Sequence, residues 1–456
     1  MAREMKESSV SWIGNIPTSW EIHRMKSCIE DRTSGAWGDE PTGGDGDIIC
    51  LRIADFDYSK LRFKDCSNGE LTIRNYDKTT IERLKLRKGD ILIEKSGGGE
   101  KTPVGRTVIF DKDYPALYAN FMDRLRCSDF VTSQWMQYLL VVFYKNDYSR
   151  NYIKQTTGIQ NIDLTSMLAN EKVPIPSLLE QNRITSFLDT QCAHIYSVVE
   201  KTRAAVEEYK KLKQAVITQA VTKGIRPNRE MKDSGIEWIG EVPSAFVCRK
   251  LKSLALLISK GATPKDISIE LDNRHIVRFL KSENIVDNHL KEKPEFRITT
   301  DIHEGELKRS VLSENDILFV IAGASIGKTA VMEIGLLPAN TNQAVSFIRI
   351  ESKYCFAKKY IWYFLQSEVV KRFIFLFAVQ SAQPNLSMEN LGSIRMPFPK
   401  SKEEVLEIIT YLDEKTAAID SLIQKKEQLI TELEAYKKSL IYEYVTGKKE
   451  VPVHAH

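Results

Sequence analysis

Residues 174–224 read PIPSLLEQNRITSFLDTQCAHIYSVVEKTRAAVEEYKKLKQAVITQAVTKG, and residues 397–448 read PFPKSKEEVLEIITYLDEKTAAIDSLIQKKEQLITELEAYKKSLIYEYVTGK. In both stretches apolar residues recur at alternating intervals of three and four, the spacing of a coiled-coil seam. Adding 224 to a position in the first stretch gives the matching position in the second, so the two share one register. The predicted seam consists of Leu188, Ile195, Val198, Ala205, Tyr209, Leu212 and Val216, and of Leu412, Ile419, Leu422, Leu429, Leu433, Tyr436 and Leu440.

We therefore predict two long helices, at 174–225 and 397–448, that pack against each other. A proline before each stretch, and Gly224 and Gly447 near their ends, fit helix boundaries. At about 1.5 Å per residue, roughly 45 residues make a rod about 65 Å long, too long for one globular domain to surround. Two unrelated surface helices would not predict a shared register.

Length and composition indicate a soluble protein of several domains. The 456 residues are 42% hydrophobic and 28% charged, which predicts two or three domains with full cores. No stretch approaches about 18 consecutive apolar residues and the N-terminus has no apolar leader segment, so we expect a cytoplasmic protein without a membrane partner. The seven cysteines are scattered and never spaced C-x-x-C, which favours reduced packing residues over disulfides or a metal site.

The duplication extends to the blocks that precede the helices. Segment 8–28 matches segment 233–254 through the pattern W-I-G-x-x-P, and the D-I-L run at Asp90 returns at Asp316. Both blocks hold short β-branched or aromatic runs bounded by turn residues, followed by a helix-like segment. We predict an α+β tandem duplication with pseudo-two-fold symmetry. Its plan is a first block at 1–173, a long helix at 174–225, a second block at 226–396, a long helix at 397–448 and a tail at 449–456.

The order of these motifs resembles the specificity subunit of type I restriction-modification enzymes. The resemblance covers essentially the whole chain and includes the Gly-rich loop after each D-I-L run, P-x-P before each long helix, and the similar ends AVTKG and YVTGK. It implies that each block is a target recognition domain reading one half of a split, asymmetric DNA sequence. It also implies that the long helices form an antiparallel coiled coil holding the two domains apart.

The same resemblance implies the partners of the chain. They are double-stranded DNA, two modification subunits that methylate adenine using S-adenosylmethionine, and restriction subunits that translocate DNA using ATP and Mg²⁺. The chain itself would be non-catalytic, with no cofactor, metal or catalytic residue of its own. The sequence specifies neither the two half-sites and their spacer nor whether a restriction subunit exists.

Residues 322–329 read AGASIGKT, close to the P-loop pattern G-x-x-x-x-G-K-[ST]. Ala322 stands where the first glycine belongs, and the first-block counterpart SGGGEKTPVGRT changes the spacing. We therefore interpret both as tight loops at a sheet edge that face DNA phosphates through Arg106 and Lys328. Two other functions remain open. The first is nucleotide hydrolysis at this loop, which predicts that the isolated chain hydrolyses nucleotide. The second is a coiled-coil scaffold for protein partners, which predicts no steep salt-dependent DNA binding.

DNA recognition requires Arg, Lys, Asn or Gln at loop tips, where these side chains match base edges or phosphates. The net charge of +4 is too small to indicate DNA by itself, so local residues carry the prediction. Asn161 and Asn385 recur in both blocks and equally fit shared turns, so positions that differ between the blocks are better candidates for specificity. The candidates are Arg52, Lys95, Lys101, Arg106, Gln160 and Asn161 in the first block, and Arg278, Lys281, Lys328, Asn342, Gln383 and Asn385 in the second.

Overall fold

Two helices of 46 and 44 residues dominate the computed structural model, which describes residues 3–65, 71–156, 158–269, 272, 274–378 and 384–452. The prediction of two long helices is confirmed. The α-helices are α1 (Lys78–Leu84), α2 (Ser133–Lys145), α3 (Leu164–Asn170), α4 (Leu178–Lys223), α5 (Thr300–Glu304), α6 (Lys358–Leu365), α7 (Glu368–Phe377), α8 (Met388–Ser393) and α9 (Lys402–Val445).

The strands are short and form one set before α4 and another before α9. The first set is β1 (Met5–Glu7), β2 (Asn15–Pro17), β3 (Glu21–Arg24), β4 (Ile29–Ser34), β5 (Asp47–Leu51), β6 (Phe56–Asp57), β7 (Arg62–Phe63), β8 (Ile73–Asn75), β9 (Ile91–Glu94), β10 (Ser96–Gly97), β11 (Thr107–Ile109), β12 (Ala116–Tyr118), β13 (Met122–Cys127), β14 (Ile153–Thr156), β15 (Ile159–Ile162) and β16 (Lys172–Ile175). The second set is β17 (Met231–Asp233), β18 (Glu241–Pro243), β19 (Phe246–Lys250), β20 (Ala255–Lys260), β21 (His275–Leu280), β22 (Ile285–Val286), β23 (His289–Leu290), β24 (Arg297–Thr299), β25 (Ile317–Val320), β26 (Thr329–Val331), β27 (Ala339–Thr341), β28 (Val345–Ile350) and β29 (Arg395–Pro399).

The long helices begin several residues after the prolines that were expected to start them. Pro174 lies in β16, paired with β3, and Pro397 lies in β29, paired with β19. Serine caps the helices instead, because the Ser177 hydroxyl accepts the third N–H of α4 and Ser401 does the same for α9, each at 3.3 Å. The predicted ends are confirmed, since the glycines that follow both helices have positive φ angles of 72° and 70°.

The chain divides into two compact units, and each contains one part of both long helices. Unit 1 is Met1–Arg203 with Glu427–His456, and unit 2 is Ala204–Lys426. Within each unit, residue numbers rise along α4 as they fall along α9, so the predicted antiparallel pairing is confirmed. The pairs that show this direction are Phe187 with Tyr444 and Arg203 with Glu434 in unit 1, and in unit 2 Lys213 with Asp420 and, three residues beyond the end of α4, Arg226 with Glu407.

The buried stripe of these helices differs in part from the predicted seam. Leu188, Ile195, Leu412, Ile419 and Leu440 are buried, and Val198, Ala205, Tyr209, Val216 and Leu433 are half-buried. Leu212, Leu422, Leu429 and Tyr436 are exposed, which corrects their assignment. Thr202 and Lys426, the polar interruptions of the predicted seam, stay on the stripe. It also includes Val199 and Val206, which are buried on α4, and Ile423 and Ile430, which are half-buried 224 residues later on α9.

The physical reason for this shift is that each part of a long helix packs against the rest of the unit that contains it as well as against the other helix. Cys192 and Val199 of α4 join a core that also contains Tyr138 and Phe143 of α2. A seam calculated for two isolated helices omits that second contact.

The two units contain equivalent sheets, which confirms the tandem duplication. In unit 1 a six-stranded sheet has the order β4-β13-β9-β11-β7-β6, and a three-stranded sheet has the order β12-β5-β8. In unit 2 a four-stranded sheet has the order β20-β28-β25-β26, and a three-stranded sheet has the order β24-β21-β27. Helices α2 and α6 contribute apolar side chains to the cores of their units. The predicted α+β class is confirmed.

The D-I-L runs are explained by a buried ion pair that both units contain. Asp90 accepts two hydrogen bonds of 2.9 Å from Arg126 on β13, and Asp316 accepts bonds of 2.9 and 2.7 Å from Arg349 on β28. Each carboxylate also accepts a hydrogen bond of 2.8 Å from the backbone N–H of the residue three positions earlier. The aspartate of this motif therefore fixes a turn and joins two strands.

Candidate nucleic-acid interface

Several chain segments of unit 1 meet at one end of its six-stranded sheet, which we call the loop end of unit 1. Ser34 ends β4 opposite Asp123, and Lys95 follows β9 with its N–H bonded to the Phe121 carbonyl at 2.9 Å. Ser96, in β10, pairs with Asn161 in β15. Lys95 and Asn161, far apart in sequence, thus lie at the same end of the sheet.

Unit 2 has an equivalent loop end. Lys260 ends β20 opposite Ser346, and the Val320 N–H at the end of β25 donates to the Lys328 carbonyl at 2.9 Å. A β-bridge joins Ala322 to Asn385, as Ser96 joins Asn161 in unit 1. Asn161 and Asn385 therefore hold the same place in the two units.

Arg106 is held at the loop end of unit 1 by a buried carboxylate. Its Nε and Nη2 donate to the two oxygens of Glu94 at 2.9 and 2.7 Å, and Glu94 is 2% exposed. The guanidinium lies 3.8 Å from the centre of the Tyr58 ring, whose hydroxyl also donates to Glu94. Burial alone would lower the pKa of Arg106, but the hydrogen bond and charge of Glu94 raise it. The positive charge of Arg106 thus neutralises the buried carboxylate of Glu94.

A second buried carboxylate, Asp123, lies on β13 at the same end of this sheet, with β9 between it and the strand that follows Arg106. Arg32 Nε donates to it at 2.7 Å, Ser34 donates at 2.8 Å, and Lys95 Nζ lies 3.2 Å away. Burial would raise the pKa of Asp123, but the hydrogen bonds from Arg32 and Ser34 and the charge of Lys95 lower it. The cluster holds Lys95 by an ion pair and by a 2.9 Å bond to Ser34.

Unit 2 has neutral residues at the positions of the two buried carboxylates and of Arg32, and Lys260 at the position of Ser34. By strand register, Val320 corresponds to Glu94 and Ser346 to Asp123, and both are fully buried. Ile258 corresponds to Arg32 in the same register. Lys328 is exposed, and among the described residues its side chain has no ion pair or hydrogen bond. The cation of the Gly-Lys-Thr run is therefore open to solvent, whereas Arg106 of the Gly-Arg-Thr run is neutralised.

The other first-block candidates also lie at or next to the loop end. Arg52 follows β5 and pairs with Asp55 at 3.2 Å, and Lys101 is exposed in the Gly-rich loop. Gln160 is buried and its Oε1 accepts the Val104 N–H at 3.3 Å. The exposed Asn161 accepts a 2.5 Å bond from Ser96. Of these side chains, that of Lys101 is the least constrained.

The second-block candidates divide into two groups. Lys281 lies 3.6 Å from the centre of the Phe296 ring, and the half-buried Asn342 accepts the Ala344 N–H at 3.2 Å. The Asn342 N–H donates to the carbonyl of the residue before Lys281, and the Ile321 N–H donates to the Ala344 carbonyl at 2.8 Å. These bonds bring Lys281 and Asn342 to the loop end that holds Lys328 and the exposed Asn385. Arg278 lies inside β21, 3.9 Å from Glu295, away from this group. Gln383 lies outside the described residues.

The loop at 322–329 does not have P-loop geometry. A P-loop leads from a strand into a helix whose N-terminus binds phosphate. Here the loop leads from β25 into β26, and the two strands pair antiparallel through Phe319 and Thr329. The equivalent loop of unit 1 joins the antiparallel strands β9 and β11. Both are hairpin loops at the end of a sheet, which agrees with the tight loops predicted there.

Sequence reasoning missed an exposed patch on α7, formed by Arg372, Phe375 and Leu376. Phe375 is 72% exposed and Leu376 is 56% exposed. The signal was the uninterrupted run FIFLF, residues 373–377, which holds more apolar side chains than one helix face can bury. Buried carboxylates inside strands, such as Asp123, were a second missed signal.

Neither a metal site nor a membrane segment is found in the part of the chain that the structure describes. Clusters of three or more His, Cys, Asp or Glu side chains suited to a metal ion are absent there. No helix in that part has the length and apolar character needed to cross a bilayer. The cysteines described are free thiols, and Cys66 lies outside the described residues.

Similar proteins share both the sequence and the fold. The chain is 25% identical over 320 residues to the type I restriction enzyme MjaVIII specificity subunit of Methanocaldococcus jannaschii, covering 68% of this chain and 70% of that one. It is 23% identical over 450 residues to the putative type I restriction enzyme MjaX specificity subunit of the same organism, covering 96% of each.

A solved chain from a study of complex assembly and conformational transition of the type I R-M system superposes with a TM-score of 0.69. The match covers 95% of this chain and 99% of that one at 14% identity, which establishes the shared fold. The family model for the type I restriction modification DNA specificity domain matches residues 55–208 and 243–432, one region for each duplicated block. The chain belongs to the type I restriction-modification DNA specificity family, whose members are non-catalytic DNA-recognition subunits.

Proposed function

We propose that the loop end of each unit reads one half of a split, asymmetric DNA target. The observation that carries this proposal is that equivalent loop ends are built from different side chains, such as Glu94 and Asp123 against Val320 and Ser346. Two-fold DNA readers place half-sites about one helical turn, roughly 34 Å, apart. A duplicated reader with divergent loop ends suits an asymmetric target of this kind.

The partners proposed for the chain follow from its family. We propose that it binds double-stranded DNA and assembles with two modification subunits and with restriction subunits in the cytoplasm. S-adenosylmethionine, ATP and Mg²⁺ would be bound by those subunits and not by this chain. Exposed cations at the loop ends, such as Lys101 and Lys328, would contact phosphates, which predicts steeply salt-dependent binding.

Methylation-sensitive sequencing of host DNA, with and without this gene, tests the proposal. We expect one bipartite motif, with two different halves and a fixed spacer, to lose methylation when the gene is deleted. An unchanged methylation pattern in a host that expresses the modification subunit would contradict the proposal. A continuous, symmetric motif would contradict the assignment of one half-site to each unit.

A further inference from the structure

Helix α7 of unit 2 presents basic and apolar side chains together on its exposed face. Arg372 is exposed, and Phe375 and Leu376 follow three and four residues later. Residues at these spacings are neighbours on a helix surface, so the three side chains form one continuous patch, which we call the α7 patch. Adjacent large apolar side chains in water are a mark of an interaction surface.

Helix α7 packs against the hairpin loop at the loop end of unit 2. A Cβ atom on Gly327 would lie 2.8 Å from Ile374 Cδ1, so α7 touches the hairpin loop one residue before Lys328. The chain that follows α7 returns to the same loop, where the Gly323 N–H donates to the Pro384 carbonyl at 3.0 Å. Helix α7, which carries the patch, therefore packs on the loop that holds Lys328. Ile374, which makes this contact, lies about 100° around the helix from Phe375, so Phe375 is the patch side chain nearest the loop.

The charge of this surface is positive and uncompensated. Among the described residues, the side chains of Arg372 and Lys328 form no ion pair or hydrogen bond, whereas neighbouring Lys371 is paired with Glu368 at 2.8 Å. Free cations beside apolar side chains match a nucleic-acid duplex, whose phosphates take the cations while its grooves accept apolar contacts with sugars and base edges.

We propose that the α7 patch and Lys328 form an additional DNA-contact surface of unit 2. Arg372 and Lys328 contact phosphates, and Phe375 and Leu376 pack against the groove beside the half-site. This inference rests on the proposed function and extends the reading surface from loops to a helix. In unit 1 the segment after α2 differs, because its Tyr148 packs on Phe143 with ring centres 5.9 Å apart.

The test compares Phe375→Ser with Ile334→Ser in the full chain, alone and assembled with modification subunits. Ile334 is the matched control, since it is 70% exposed but lies beyond β26 at the other end of the sheet from Lys328. On a duplex carrying the motif found by sequencing, we expect Phe375→Ser to weaken binding about tenfold, the usual scale of one good base-edge or apolar contact. Ile334→Ser should bind like the wild type.

A second arm separates phosphate contacts from apolar contacts. Arg372→Ala should lower the slope of log affinity against log salt concentration by about 1 without changing the preferred sequence. Unchanged DNA affinity in Phe375→Ser would overturn the inference, and so would loss of assembly with normal DNA affinity, which would make the patch a protein-binding surface. A wild-type chain with no sequence-specific affinity would overturn the proposed function together with this inference.

Discussion

Units 1 and 2 have the same framework and different loop ends. In both, a buried aspartate at the start of the central hairpin is bound by a bidentate arginine on the neighbouring strand of the sheet. The pairs are Asp90 with Arg126 and Asp316 with Arg349. At the opposite end of the same strands, unit 1 has buried carboxylates compensated by cations, whereas unit 2 has the neutral Val320 and Ser346 at those two positions. The shared positions build the fold, and the different positions are available for reading different DNA.

The comparison also shows that aligned motif residues can have different roles. Gly-Arg-Thr and Gly-Lys-Thr occupy the same hairpin position in the two units. Arg106 is bonded to Glu94, but Lys328 faces solvent because Val320 replaces the carboxylate. That both cations face phosphates stays a prediction, and of the two only Lys328 has a side chain without an ion pair among the described residues.

The largest expected effect comes from replacing the reading block of unit 1. Exchanging residues 29–170 with the block of another family member should change one half of the methylated motif and leave the other half intact. The cut after Asn170 is preferable to one at Val173, because β16 pairs with β3 and both then come from this chain. Preference for the old target over non-specific DNA should fall by a factor on the order of 10³ or more.

Sequencing of methylated DNA from cells carrying the chimera provides the measurement. The matched experiment is a chimera in the second block, which should alter the other half-site. A simultaneous change of both halves in either chimera would show that the units read DNA jointly.

Arg106→Ala and Lys328→Ala should separate stability from DNA binding. Arg106→Ala leaves Glu94 buried without its cation, so we expect a loss of about 3 kcal/mol in unfolding free energy. Lys328→Ala removes an exposed side chain and should cost less than about 0.5 kcal/mol, while lowering the salt slope of DNA binding by about 1. Denaturant unfolding and DNA titration at several salt concentrations measure both quantities.

A double-mutant cycle of Arg106 and Glu94 provides the control for this pair. Its coupling energy should lie within the range of about 0.5–3 kcal/mol found for residues in contact. Equal stability losses in Arg106→Ala and Lys328→Ala would mean that the two loop ends are not built differently.

Asp90→Asn and Asp316→Asn should destabilise their units to a similar extent. Each substitution removes the charge that pairs with a partly exposed arginine and weakens a turn. We therefore expect a loss of about 2 kcal/mol in unfolding free energy in each case. Urea unfolding of the two variants checks this. A loss confined to one of them would show that the shared ion pair is not equivalent in the two units.

The smallest expected effect is a pH dependence specific to unit 2. His275 is buried at the start of β21, and its ring nitrogens lie 2.8 Å from Asp272 and 2.9 Å from Asp266. The hydrogen bonds to Asp272 and then Asp266 raise the pKa of His275. A raised pKa stabilises the fold fully below the unfolded value of about 6.5, and this contribution is lost as pH rises through the folded value.

The unfolding free energies of wild type and His275→Asn, measured from pH 5.5 to 8.5, test this dependence. The two proteins should differ most at the acidic end, and the difference should shrink with rising pH. A difference that grows with pH would mean that the neutral imidazole is the bound form. Asp266→Asn, which removes one of the two carboxylate charges beside the ring, should give a smaller difference with the same sign.

The candidate site could be predicted only in part from the sequence. The repeated Asn161 and Asn385 pointed to equivalent places, because the duplication carries their flanking strands with them. The partner of Arg106 could not be inferred, since the adjacent hairpin strand provides Glu94 twelve positions earlier and nothing in the local pattern marks the pair. Likewise, the exposure of Phe375 depends on how α7 packs and not on its apolar composition.

The sequence by itself determined the duplication, the two long helices, their shared register and their glycine ends. These features follow from periodicity and from backbone preferences of neighbouring residues. Only the tertiary structure determined where the long helices begin. Pro174 and Pro397 lie in strands whose pairing partners are about 150 residues away in the sequence. The tertiary structure also decided which face of each helix is buried, since that face packs against a whole unit. The charge compensation and the exposure of side chains at the two loop ends were also decided by the tertiary structure, because they depend on strands that only folding brings together.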